Sequence, residues 1–215
     1  MNRSFGGRER RGAVTAHPQP AGNRAEAPAS PAAYGLLRDD AIAQLGAWRA
    51  TDAAQERLRR DYLAHVESHP DALWRSGPPA HLTGSVIVLD ASATHALLTL
   101  HQKARRWFQF GGHFEPEDTS LWAGAQREAT EESGRQGLTV LPDIVQLDRH
   151  ELGTAFGRCR EHLDVRYAAV APEGAEHAVS AESLDVRWWL VEALPVETRA
   201  ELLPLARAAQ RLIRR

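Results

Sequence analysis

Apolar positions recur at helical intervals once the first 35 residues are passed. Residues 1–35 are rich in Ala, Pro, Gly and Arg and show no apolar face, so they read as a disordered tail. Within it, Arg8, Arg10 and Arg11 read as a solvated basic cluster. Ile42, Leu45 and Trp48 then fall at helix spacing, and Leu58, Tyr62 and Val66 make a second stripe. Asp52 followed by Gln55 predicts a capping box between the two. His69-Pro70 ends the second helix, because a residue before proline avoids helical geometry. A helical segment over 36–76 is therefore expected, with Gly77-Pro78-Pro79 as the joint to the next unit.

Beyond the joint the period shortens. Residues 85–89 and 95–100 are apolar, β-branched runs separated by a turn at 90–94, and 107–110 form a third run leading into Gly111-Gly112. Thr119 or Ser120 caps a helix lasting to Ser133, where Gly134 stops it. Strands are expected over 140–147, 163–170 and 186–191, the last with one of Trp188 and Trp189 inward and the other partly exposed. Leu202, Leu205, Ala209, Leu212 and Ile213 support a C-terminal helix within 196–215, started or kinked by Pro204.

Composition narrows the class. Hydrophobic residues at 43% suffice for a core, and a formal net charge of −2 gives no global signal for nucleic acid or an anionic membrane. Cys159 is the single cysteine, which excludes an intramolecular disulfide and suits a reducing cytoplasm. No apolar run is long enough for a membrane span.

The chemistry concentrates between Gly111 and Gly134. Glu128 lies one helical turn from both Glu131 and Glu132, with Arg127 beside them. Like charges at that spacing weaken a helix by roughly 0.2–0.5 kcal/mol per pair, so a compensating cation is expected. Hard Mg²⁺ or Mn²⁺ suits such oxygen donors, keeps several waters and bridges to phosphates. The Gly112 carbonyl can add a neutral oxygen ligand to Glu128, Glu131 and Glu132. Glu128, Glu131 and Arg127 are the candidate catalytic residues: a carboxylate takes a proton from water, and Arg127 orients a glutamate through a bidentate hydrogen bond.

These residues resemble the signature box of the Nudix hydrolase family. That pattern runs Gly, five residues, Glu, seven residues, Arg-Glu, an aliphatic, any residue, Glu-Glu, any residue, Gly, an aliphatic. Arg127 to Gly134 fits every fixed position, whereas Asp118 stands for the first Glu, one extra residue precedes Arg127, and Arg135 replaces the last aliphatic. The resemblance covers about residues 80–195 and implies an α/β/α sandwich around a mixed β-sheet. It also implies a divalent-metal-dependent pyrophosphohydrolase in which water attacks a nucleoside diphosphate linked to another moiety. A nucleotide-sensing module on the same fold is the alternative.

Weaker candidates surround the box. Asp118 either adds a ligand or base or helps cap the helix, and Glu173, Glu176 and Glu182 are acids where the family gains a further carboxylate. His113 and Glu115 sit in the box loop facing substrate or solvent. Lys103, Arg105 and Arg106 lead into Trp107 and Phe108, a combination suited to phosphate neutralisation and base stacking, although one aromatic must face the core. His150, Cys159 and His162 match no familiar zinc spacing and read as a packed thiol with two polar histidines. The cysteine context Gly-Arg-Cys-Arg-Glu-His also differs from that of prenyl diphosphate isomerases on this fold. Markers of hydrolases for ADP-ribose, diadenosine polyphosphates and NADH are absent after the box. The expected partner is a small nucleotide, without membrane or nucleic acid, and segment 36–76 either covers the pocket or mediates a homodimer.

Overall fold

The computed structural model describes residues 30–134, 137–152, 159–172 and 183–214. Its element order is a 3-10 turn at Pro31–Tyr34, α1 (Gly35–Ala47), α2 (Ala53–Ser68), β1 (Ala80–Leu89), β2 (His95–His101), β3 (Trp107–Phe108), β4 (Phe110–His113), α3 (Leu121–Ser133), β5 (Thr139–Val140), β6 (Gln146–Glu151), β7 (Glu161–Val170), β8 (Ser183–Leu190) and α4 (Arg199–Ile213). The expected 140–147 strand is two strands, because the chain leaves β7 at residue 140 and rejoins it only from Gln146 onward.

β1 organises the sheet. It pairs with β7 in parallel over its whole length, while β2 takes its far end and β4 its near end, both antiparallel. Alternate residues of a strand face opposite sides, so β1 feeds two cores. Leu82, Val86 and Val88 pack with α1, α2 and α3, whereas Ile87 and Leu89 pack with Leu202, Leu205, Ala206 and Ala209 of α4. The result is the expected α/β/α sandwich around a mixed sheet. Trp188 and Trp189 obey the same alternation, one against each core, and both are partly buried. Pro204 lies inside α4 rather than at its start.

The N-terminal helices are built into the core. Leu37, Ala41, Leu45, Tyr62 and Val66 are buried, and Trp48 Nε1 donates to the Ile144 carbonyl at 2.7 Å. Tyr34, expected in the tail, is buried as well, because the 3-10 turn packs it against this cluster. Asp52 caps α2 by accepting from the Ala54 and Gln55 amides, but the reciprocal half of the capping box does not form. The Gln55 side chain instead clasps both backbone groups of Leu147 at 2.8 and 3.0 Å, where it joins α2 to β6. Asp40 of α1 accepts from the Leu121 amide at 2.7 Å, so α1 helps to hold the first turn of α3. No helix among the described residues is long and apolar enough to cross a membrane.

Candidate active site

The carboxylate-bearing turn belongs to α3. Ser120 starts this helix by accepting from the Ala123 amide at 3.0 Å, and Gly134, left-handed at φ 62°, ends it. Leu121, Ala125 and Ala129 turn one face into the core, which leaves Arg127, Glu128, Glu131 and Glu132 toward the loop that follows β4. Two glycines in β4 let its backbone run close to β1 and α3. Gly111 has φ 156°, and a Cβ there would stand 2.4 Å from the Cβ of Ser85. A Cβ on Gly112 would stand 2.7 Å from Glu128 Oε2, so the backbone of Gly112 and the Glu128 carboxylate are immediate neighbours. In the metal-dependent hydrolase that the box implies, Gly112→Ala should displace that carboxylate and lower turnover roughly 10- to 100-fold, the usual cost of losing a positioning contact. Initial rates over a Mg²⁺ titration would check this; a variant with unchanged rates would contradict it.

Arg127 is the hub. Nε and Nη2 form a bidentate pair with Asp118, both at 3.0 Å; Nη1 donates to Glu128 at 3.0 Å and to Glu131 at 3.3 Å; Nη2 also reaches the His113 carbonyl at 3.0 Å. The fork therefore holds Asp118, not a glutamate, and its remaining nitrogen orients Glu128 and Glu131. Asp118 Oδ2 also accepts from the Glu115 amide at 2.8 Å, so both of its oxygens are engaged. Asp118 thus ties the loop at Glu115 to Arg127. Glu132 Oε2 accepts from the Gly111 amide at 2.9 Å, and Glu115 lies 3.8 Å from Arg127.

Charge is unbalanced here. Burial works against the charge of Arg127, but Asp118 and Glu128 outweigh it and raise its pKa. Burial pushes the Glu128 carboxyl up to about 7 against the opposing pull of Arg127, with Glu131 and Glu115 adding to the rise. The donor set is wholly oxygen and fits a hard divalent ion.

Other candidates fall elsewhere. Trp107 is buried in the α4-side core, edge-on to Trp189 with ring centroids 5.3 Å apart, because its place in β3 turns it inward; it packs and does not present a stacking face. Lys103 and Arg105 are exposed on the turn between β2 and β3, and Arg106 donates to the Glu197 carbonyl. The His113 ring turns away from the acidic turn, toward His81 and His162, with centroids 5.1 Å from each. His81 was not foreseen; only its parallel pairing with His162 reveals it. Cys159 and His162 likewise sit together, joined by His81 and His113 rather than by His150 as a ligand group. Glu173, Glu176 and Glu182 lie outside the described residues.

Among solved structures, the chain resembles an Ap4A hydrolase binary complex from C. elegans, with 18% identity and a TM-score of 0.51 over 62% of this chain and 97% of that one. A NUDIX-family hydrolase from Clostridium perfringens aligns at 23% identity and a TM-score of 0.46, over 61% and 97%. The dihydroneopterin triphosphate pyrophosphohydrolase of E. coli aligns at 15% and 0.48, over 61% and 94%. No curated protein matches the chain. The sequence profile of the NUDIX domain matches residues 80–213, a span that holds the sheet, the acidic helix and α4. With its box intact from Arg127 to Gly134, the chain belongs to the Nudix hydrolase family.

Proposed function

We propose that this protein is a metal-dependent pyrophosphohydrolase acting on a nucleoside diphosphate linked to another moiety. The observation that carries this is that Glu128 and Glu132 meet the Gly111-Gly112 backbone of β4 while Arg127 joins Glu128 to Glu131. Glu128, Glu132 and the Gly112 carbonyl, with Glu131 at the border, would hold Mg²⁺ or Mn²⁺. Such an ion supplies Lewis-acid polarisation of phosphoryl oxygens and neutralises their charge.

The chain's own groups do the rest. Arg127 fixes the glutamates through Nη1 while its fork is anchored on Asp118, so their geometry is set before substrate arrives. Glu132 is tied to β4 by the Gly111 amide. Glu131 is the most exposed of the three, with its side chain at 61% against 15% for Glu128, and is best placed to reach a water in the open site. It takes one proton as the water oxygen bonds to phosphorus and the bridging P–O bond breaks, the leaving phosphate departing with that electron pair. A reducing cytoplasm that contains Mg²⁺ suits this chemistry and the single thiol.

A phosphate- and pyrophosphate-release screen would test the reading, with and without Mg²⁺ or Mn²⁺. It would cover nucleoside triphosphates, sugar nucleotides, dinucleoside polyphosphates and ADP-ribose. Metal-dependent turnover of one class is expected. Silence across the panel from folded protein would overturn the hydrolase and leave a nucleotide-sensing module.

A further inference from the structure

We propose that His81, His113, Cys159 and His162 form a second metal site, a closed four-coordinate zinc site distinct from the carboxylate turn. One ligand atom from each residue lies within 4.8 Å of all the others. His81 Nε2 stands 3.1 Å from His113 Nε2 and 3.4 Å from Cys159 Sγ. A tetrahedral zinc with Zn–N and Zn–S bonds of roughly 2.0–2.3 Å has ligand-to-ligand edges of about 3.3–3.7 Å, so the four atoms need only sub-ångström to ångström shifts to enclose one ion.

The hydrogen bonding within the cluster is poor without an ion. His81 Nδ1 lies 3.1 Å from the Pro78 carbonyl, which only accepts, so Nδ1 carries the proton and the neutral ring's Nε2 presents a bare lone pair. A backbone carbonyl on the far nitrogen is the partner that orients metal-ligating histidines. Two groups, the His113 ring and the Cys159 thiol, crowd that single lone pair. His162 Nε2 is buried with no hydrogen-bond partner among the described residues. His81 itself is fully buried. Three imidazoles and a thiolate select zinc over the hard ions that suit the carboxylates, and four protein ligands leave no open position for catalysis.

Topology explains how ligands so distant in sequence meet. His81 and His162 are register partners on the parallel strands β1 and β7, and His113 lies on β4, opposite Thr83 of β1. Cys159 lies two residues before β7. Zinc would therefore staple three strands and a loop at one end of the sheet. His113 follows Gly112 directly, and its carbonyl accepts from Arg127, so the staple would also brace the start of the active-site loop.

The test is metal analysis of the full-length protein, purified without chelator, followed by cobalt substitution. One zinc per chain is expected, retained in Glu128→Gln/Glu132→Gln. The Co²⁺ form should show the visible bands of tetrahedral cobalt and a thiolate-to-cobalt charge-transfer band. In Cys159→Ala, at a half-buried position chosen to spare the fold, that charge-transfer band should vanish and zinc affinity should fall at least about tenfold. Folded wild-type protein that takes up neither zinc nor tetrahedral cobalt would overturn the proposal. So would zinc that is lost with the two glutamates but kept without Cys159.

Discussion

Glu128→Gln should abolish turnover while making the metal-free protein more stable. Loss of one charged ligand at a phosphoryl-transfer site removes several kcal/mol of transition-state stabilisation, roughly 10³-fold or more in rate. The stability effect has the opposite sign. Burial holds the Glu128 carboxyl at about 7 in the folded chain against 4.5 as its ordinary value. Below pH 4.5 both states hold the proton, and nothing is lost. Between 4.5 and 7 the unfolded chain releases it first, so folding stability falls as pH rises, by an amount on the order of 1–3 kcal/mol once pH 7 is passed. Glutamine keeps the shape and carries no charge. The difference between the thermal unfolding curves of wild type and variant in EDTA, followed from pH 5 to 8, isolates this one group, because every other titrating residue contributes to both. The variant's advantage should grow with pH across that window. Added Mg²⁺ should reverse the order, since only the wild type retains the full ligand set. An advantage that stays constant with pH would show that Glu128 is not held in a raised state.

Arg166→Met should destabilise the fold strongly. Arg166 is 1% exposed on β7, where it donates to Asp164, Asp148 and Glu201, each at 2.9 Å, and to Gln146 at 3.3 Å. Asp164, itself 3% exposed, also accepts from Thr83 at 3.1 Å and Ser85 at 2.7 Å. Truncating the guanidinium leaves a buried carboxylate without its counter-charge and unties Glu201 of α4 from the sheet. Breaking such a pair from one side costs about 3–5 kcal/mol. Urea unfolding should show the midpoint falling with little change in slope. Adding Asp164→Asn should recover part of the loss, because the orphaned charge goes with it. Two losses that simply add would mean that Arg166 and Asp164 are not energetically coupled.

Neither of these effects can be read from the same kind of signal. The acidic helix is legible in one dimension, since Glu128, Glu131 and Glu132 sit within a single turn and helical periodicity alone places them together. Arg166 gives no such sign. It lies in a strand between apolar Val165 and Tyr167, and its three carboxylate partners come from β6, β7 and α4. Trp107 was ambiguous for a related reason. Alternation says that one of two adjacent strand residues faces inward but not which one, and pairing with β2 and the arrival of α4 made it Trp107.

By itself, the amino-acid order determined what local geometry controls. Helix periodicity, capping at Asp52 and at Thr119 or Ser120, the glycine stop at Gly134 and the run from Arg127 to Gly134 depend on neighbours within about one turn, a range over which sterics and hydrogen bonding act without the rest of the chain. Tertiary structure alone decided which distant groups meet. The turn of Arg127's fork to Asp118 needed the loop folded back on α3; the burial of α1 and α2 needed the sheet face they cover. The meeting of His81, His113, Cys159 and His162 needed the parallel register of β1 on β7, a pairing between segments about eighty residues apart that no local period records.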